Sequence, residues 1–312
     1  MKKMKNIMVL LLVLLLIASF TACSQTDDTD PVDSDNVETN AVEDAANAYF
    51  ADLPEDINKI DQVDFVDKVK AEEDMVILDI RQADVYGEGH AKGAVNVPWG
   101  TAISDSLDQL PTDKTIMVYC YTGQTAGQTV ALLKMAGFDA KTVNLGWNLG
   151  ISKVEGVDDI IETTVNELPD AAGTEVDPAV KEAITDYFTG LADVADTTYA
   201  NYKISEADAK ALVDAKDDSV MFLSIRSAED FGKGHIEGAV NIPFGKGMQD
   251  QFSTLPTDKK VIVYCYTGQT AGQTVAVLRM LGYDAVSLNA GMGTPANAPA
   301  GWANLEYPVV TE

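Results

Sequence analysis

The sequence predicts an α/β protein made of two copies of one domain, each a central parallel sheet flanked by helices, behind an export signal and a disordered acidic tether. Three observations predict it: a long internal repeat, an alternation of aliphatic runs with helical stretches inside each copy, and an N-terminus unlike the rest. The repeat is the strongest signal. Residues 113–135, DKTIMVYCYTGQTAGQTVALLKM, align with 258–280, DKKVIVYCYTGQTAGQTVAVLRM, and the fourteen letters VYCYTGQTAGQTVA recur unchanged. Cys120 and Cys265 lie 145 residues apart, and His90 and His235, Pro98 and Pro243, and Gly146 and Gly291 share that offset. The register holds without a gap from about residue 75 to 146. One period is the size of a domain, which excludes a solenoid of short units.

Inside each copy the short runs read as strands. The first copy has them near Met75–Ile80, Ala94–Val97, Thr115–Tyr119 and Thr142–Leu145; the second near Val220–Ile225, Ala239–Ile242, Lys260–Tyr264 and Ala285–Leu288. Most are aliphatic throughout, as strands buried on both faces are. Helices fall between them, over Asp61–Lys70 and Ser205–Ala215, and from near Thr125 and Thr270 to just before Gly137 and Gly282. Ser205 is an N-cap, and a glycine after a helix relieves its left-handed end. Asn166–Ala179, with two prolines and a glycine, reads as the boundary. The division is 1–22 signal peptide, 23–44 tether, 45–168 first domain and 177–312 second domain.

Lys2, Lys3 and Lys5 precede an apolar run from Ile7 to Phe20, which Thr21, Ala22 and Cys23 close. A basic start, a short apolar run and small residues at the break make a secretory signal. The run is short for a membrane span. A cysteine after Ala22 resembles the lipobox of bacterial lipoproteins, which makes Cys23 the acylated first mature residue; Phe20 stands where that motif usually has leucine. The expected location is extracytoplasmic, lipid-anchored to the bacterial membrane. Residues 24–58 contain no Lys or Arg, and Ser24–Asn40 is poor in large apolar residues, so that first half reads as a self-repelling tether. The net charge of −27 repels nucleic acid and anionic headgroups and excludes both as partners. Two cysteines beyond Cys23 and two histidines make neither a disulfide framework nor a metal cluster, and no cofactor is expected.

The chemistry concentrates at Cys120. A buried strand runs to Tyr119 and a helix begins near Thr125, so Cys120 sits at the C-terminal end of a parallel strand, where open α/β sheets bind ligands. The short connection must curl, and Gly123 permits it. A curl feeding a helix turns backbone N–H groups inward and adds the positive end of the helix dipole. Both favour thiolate over thiol and would hold a persulfide, Cys–S–S⁻. Tyr121, Thr122, Gly123, Gln124, Thr125 and Ala126 form the loop around Cys120; Tyr266, Thr267, Gly268, Gln269, Thr270 and Ala271 repeat it around Cys265. Ala126 and Gly127 are small enough for the helix end to approach the sheet. Against this stands the plain alternative of a small buried apolar cysteine.

Asp79-Ile80-Arg81, Tyr86 and Gly89-His90-Ala91-Lys92-Gly93-Ala94-Val95-Asn96-Val97-Pro98 resemble the signature that opens a rhodanese domain. Ser224-Ile225-Arg226, Phe231 and Gly234-His235-Ile236-Glu237-Gly238-Ala239-Val240-Asn241-Ile242-Pro243 repeat it, and the cysteine loops fall where rhodaneses carry their catalytic cysteine. The resemblance implies two rhodanese-like domains and a sulfurtransferase. Cys120 and Cys265 would be nucleophiles that take sulfane sulfur from a thiosulfate-like or polysulfide donor and pass it to a thiol or cyanide. Loop backbone would cradle the sulfur, and the Thr125 and Thr270 hydroxyls can donate to it. Three departures stand out. Neither six-residue loop holds Lys or Arg, which leaves the donor open. Ser224 replaces Asp79, an acid expected to buttress the domain interior. Both copies keep the cysteine.

His90 and His235 read as side chains that hydrogen-bond a turn, and Arg81 and Arg226 as structural ion-pair partners. Trp99 and Trp147, replaced by Phe244 and Met292, read as packing or pocket walls. A phosphatase of the same fold class would need an arginine where Ala126 and Ala271 stand. A membrane-tethered persulfide carrier without fast turnover is the other function the residues allow. Redox pairing of the two thiols is a third.

Overall fold

The structure is a computed structural model; it describes residues 34–168 and 174–311, with side chains from Ala41 onward. The export signal and Cys23 lie outside the described residues. Helix α1 (Ser34–Ala51) leads into β1 (Lys59–Ile60), α2 (Gln62–Lys70), β2 (Val76–Asp79), α3 (Ala83–Glu88), β3 (His90–Ala91) and β4 (Ala94–Asn96). Then follow α4 (Thr101–Asp105), β5 (Ile116–Tyr119), α5 (Gln124–Met135), β6 (Ala140–Val143) and β7 (Ile161–Glu162). The second copy runs through α6 (Pro178–Thr189), α7 (Leu191–Val194), β8 (Lys203–Ile204), α8 (Glu206–Ala215), β9 (Val220–Ser224) and α9 (Ala228–Lys233). It ends with β10 (Val240–Asn241), β11 (Lys260–Tyr264), α10 (Gln269–Met280) and β12 (Ala285–Leu288). Among the described residues no helix is long and apolar enough to cross a membrane.

Two five-stranded parallel sheets result, in the orders β1-β6-β5-β2-β4 and β8-β12-β11-β9-β10. The chain leaves β2 toward β4 on one side and β5 toward β6 on the other, so the C-terminal ends of β2 and β5 mark a switch point. Alternation along the strands sorts the core. Ile77, Met117 and Tyr119 meet Phe65, Val66 and Val69 of α2 on one face; Leu78, Ile116 and Val118 meet α5 on the other. Strand β6 runs Ala140–Val143, two residues earlier than the sequence suggests, because Leu145 and Gly146 already turn with positive φ. Gly137 and Gly282 close α5 and α10 with φ of +93° and +86°. Ser205 caps α8 by accepting from the Asp208 N–H at 3.0 Å.

Residues 34–44, assigned to the tether by composition, lie in α1, which corrects that reading. The acidic residues hide an apolar stripe: Ala46, Tyr49 and Phe50 are buried, with Val42 and Ala45 packed beside them. This stripe packs on both copies, against α5 of the first and α10 of the second. The Phe50 ring packs edge-on against Phe244 and Phe252, and its carbonyl accepts from the Gly247 N–H at 3.1 Å. Helix α6 does the reverse: Phe188 packs edge-on against Trp99 of the first copy, and Lys181 pairs with Asp108. Each copy's leading helix therefore reaches across to the other copy, and α5 packs against α10 between them.

That shared core buries tyrosines. Burial raises Tyr49, Tyr119 and Tyr187 above the ordinary 10.0. The folded state keeps them protonated where the unfolded chain ionises. Their contribution is complete below pH 10 and is lost as pH rises beyond it, at about 1.4 kcal/mol per pH unit for each tyrosine. Denaturant unfolding between pH 9 and 12, read beside phenolate absorbance, should show stability falling with phenolate appearing only on unfolding.

Candidate functional site

Cys120 and Cys265 follow the central strands β5 and β11, and both are free and buried. Gly123 and Gly268 each sit at φ +90° as the N-caps of α5 and α10. This bend turns amides onto the sulfur. The Gly123 N–H donates to Cys120 Sγ at 3.1 Å and the Ala126 N–H at 3.4 Å; the Gly268 N–H donates to Cys265 Sγ at 3.1 Å. Among the described residues the Thr125 and Thr270 hydroxyls make no such bond, which departs from the expected donation. Sulfur is held here by backbone alone.

A second loop clamps each cysteine loop from behind. The Trp147 and Asn148 N–H groups donate to the Cys120 and Tyr121 carbonyls, both at 2.8 Å; Met292 and Gly293 repeat this on Cys265 and Tyr266, also at 2.8 Å. The approach is possible because Gly146 and Gly291 have no side chain. A Cβ on Gly146 would lie 2.6 Å from the Cys120 carbonyl oxygen, and one on Gly291 would lie 2.5 Å from that of Cys265. The loop tyrosines lean outward. The Tyr121 hydroxyl accepts from the Gln82 N–H, and the Tyr266 hydroxyl donates to Asp230 at 2.6 Å, which holds that carboxyl at about 2.

The buttress under the first site is an ion pair. The Asp79 carboxylate accepts from the Arg81 backbone N–H at 2.9 Å and from its Nη2 at 2.6 Å, with both side chains fully buried. Arg81 lies over the rings of Trp147 and Tyr119, 4.3 and 5.5 Å from their centroids, so Trp147 is a packing wall. Burial pulls the guanidinium's pKa down and Asp79 more than offsets it, giving a net rise. The second copy corrects the expected ion pair: Ser224 offers Arg226 no carboxylate, and among the described residues its Nη2 donates to the Gly234 carbonyl while its buried Nε has no partner. The histidines hold turns, as expected. The His90 ring stacks on Tyr86 at 3.6 Å with Nδ1 2.8 Å from the Tyr86 carbonyl oxygen; His235 stacks on Phe231 at 3.8 Å.

Gln124 and Gln269 do something the sequence does not announce. The Gln124 Nε2 donates to Ser287 Oγ at 2.7 Å and to the Leu288 carbonyl at 3.1 Å, across the domain interface. Gln269 answers, donating to Thr142 Oγ1 at 3.1 Å and the Val143 carbonyl at 3.0 Å. Gln128 reaches the Asn201 carbonyl and Gln273 that of Ile57. Gly127 and Gly272 are small for the same reason: a Cβ on either would collide with the backbone oxygen of Gln269 or Gln124. Gly127 thus admits the other copy's helix, not its own sheet. The unchanged block faces its own twin across an approximate twofold axis, so the glutamine clasps and the glycine close approaches occur twice. A cavity of about 490 Å³ opens over Cys265, walled by Ile57 and Leu145 of the first copy and Phe244, Thr267 and Thr270 of the second.

A family model described as the rhodanese-like domain matches residues 62–151 and 205–293. The chain belongs to the rhodanese-like family. Its relatives include the thiosulfate sulfurtransferase PspE of Escherichia coli, 36% identical over 72 residues, covering 22% of this chain and 67% of that protein. A sulfurtransferase of Allochromatium vinosum is 31% identical over 106 residues, covering 34% of this chain and 91% of that one. The crystal structure of a thiosulfate sulfurtransferase from Pseudomonas aeruginosa aligns over 80% of this chain and 46% of that one, at 17% identity and a TM-score of 0.31. Rhodanese domains in tandem and sulfurtransferase relatives place this chain in a sulfurtransferase family.

Proposed function

We propose that this rhodanese-like protein is an extracytoplasmic sulfurtransferase, lipid-anchored through Cys23, that moves sulfane sulfur through persulfides on Cys120 and Cys265. The observation that carries the reading is the two amides aimed at Cys120 Sγ, with the Gly268 amide aimed in the same way at Cys265 Sγ. Backbone N–H groups at a helix N-terminus stabilise negative sulfur wherever the charge sits. With thiosulfate as donor, the thiolate attacks the outer sulfur. A Cys–S bond forms, the donor's S–S bond breaks, and sulfite leaves with the electron pair. The charge now rests on the outer persulfide sulfur. A thiol or cyanide acceptor then attacks that sulfur and restores the thiolate.

The test is intact-mass spectrometry of the chain and its Cys120→Ser and Cys265→Ser variants after incubation with thiosulfate or polysulfide. The expected result is one added sulfur per remaining cysteine, lost when a thiol or cyanide is supplied. No added sulfur on wild type, or turnover no faster than that of the double variant, rules the reading out. For the anchor, Cys23→Ser should move the protein from the membrane fraction to the soluble one.

A further inference from the structure

Neither cysteine loop contains a cation, yet two lysines from outside the gapless repeat lie on the edge strands, beside the residues that the opposite copy's loop glutamines grip. Lys59 opens β1 and Lys203 opens β8, an edge strand in each sheet. Lys59 is the register partner of Thr142, the residue that Gln269 grips from the other copy. Lys203 is the register partner of Ser287, which Gln124 grips in turn. The glutamine clasps therefore bring each lysine to the opposite copy's cysteine loop. Lys59 lines the cavity over Cys265 together with Tyr266, Thr267 and Thr270.

Both lysines are costly where they stand. Among the described residues, where most other lysines pair with carboxylates, neither Lys59 nor Lys203 forms an ion pair. Burial lowers both below the ordinary amine value, while the charge of the opposite cysteine, Cys265 for Lys59 and Cys120 for Lys203, pushes back. A desolvated ammonium without a fixed counter-ion is one that an incoming anion satisfies. It also meets an electrostatic need. The chain's net charge of −27 repels small anions, and a local cation at the cavity offsets that at short range.

We propose that the copies exchange their anion-binding groups: Lys59 serves the Cys265 site and Lys203 serves the Cys120 site, each for a small donor whose sulfane sulfur is carried on an oxyanion. The donor class rests on the sulfurtransferase reading; the crossed placement of the lysines does not. A single isolated copy would then lack the cation of its own site.

Alkylation tests the placement without any sulfur chemistry. Iodoacetate is anionic and iodoacetamide neutral, so the ratio of their rates at each cysteine, read by peptide mass spectrometry, reports the local cation. Lys59→Gln should lower the ratio at Cys265 by about five- to tenfold and leave Cys120 unchanged. Lys203→Gln should do the reverse, and Lys→Arg at either position should restore the ratio. Unchanged ratios, or a fall at the cysteine of the same copy, overturn the proposal. Thiosulfate loading of the same variants separates the two readings. If wild type never gains sulfur while the ratios shift as expected, the sulfurtransferase reading fails and the lysine placement stands. If both variants load thiosulfate as fast as wild type with ratios unchanged, the lysine placement fails and the sulfurtransferase reading stands.

Discussion

Gly272→Ala should destabilise the protein by about 1–3 kcal/mol and lower sulfur loading at both cysteines, although it lies in one copy. Its Cβ would collide with the Gln124 carbonyl oxygen, which is backbone and cannot rotate away. Relief requires α5 and α10 to separate. Gln124 is the first residue of α5 and follows Gly123, whose amide holds Cys120; α10 carries the amide of Gly268, which holds Cys265. Moving either helix disturbs both cradles. Gly127→Ala should do the same through the Gln269 carbonyl. Gly87→Ala is the control, since a Cβ there meets nothing within 4 Å and its φ is ordinary; it should leave the urea midpoint unchanged or raise it slightly. A Gly272→Ala variant that unfolds and loads like the control would mean the helix pair is not the rigid seam described above.

Asp79→Ala should cost about 3–5 kcal/mol, the range seen when one partner of a buried ion pair is removed. The carboxylate is the anion that offsets the buried Arg81 guanidinium, and no other carboxylate is bonded to it among the described residues. The equivalent Ser224→Ala should cost less than about 1 kcal/mol, because among the described residues Arg226 has no counter-ion and the serine hydroxyl no partner. Ser224→Asp should stabilise the second copy by about 1–3 kcal/mol through the charge-assisted bonds that Asp79 makes in the first. Chemical denaturation of the three variants reads the contrast. Equal losses from Asp79→Ala and Ser224→Ala would show that the ion pair is not what braces the first copy.

Much of a single copy was legible in the residues. Aliphatic runs marked β2, β5, β9 and β11 because a strand buried on both faces has no polar side to show. Gly123 and Gly268 marked the bend because a six-residue passage from strand to helix needs a positive φ. Asp79 and Arg81 are two residues apart and pair with each other, whereas Arg226, expected to be an ion-pair partner, forms no ion pair among the described residues because Ser224 supplies no carboxylate. Helix α1 was missed because its acidic face dominates composition, and its apolar stripe packs on both copies. Lys59 and Lys203 were missed because they lie 144 residues apart, one short of the repeat offset, so a gapless register stops before reaching them.

What the sequence determined by itself is the content of each copy: the main strands by aliphatic pattern, a cysteine at a strand end, a glycine that curls the loop, and the doubling of all three. These depend on φ/ψ sterics and periodicity, which act over a few residues. Only the tertiary structure decided how the copies face each other. The glutamines of the repeated block cross the seam, the leading helices reach across it, and Lys59 of the first copy lines the cavity over Cys265 of the second. A repeat read along the chain reveals that two surfaces are alike; whether like surfaces pack on one another depends on their complementarity in space.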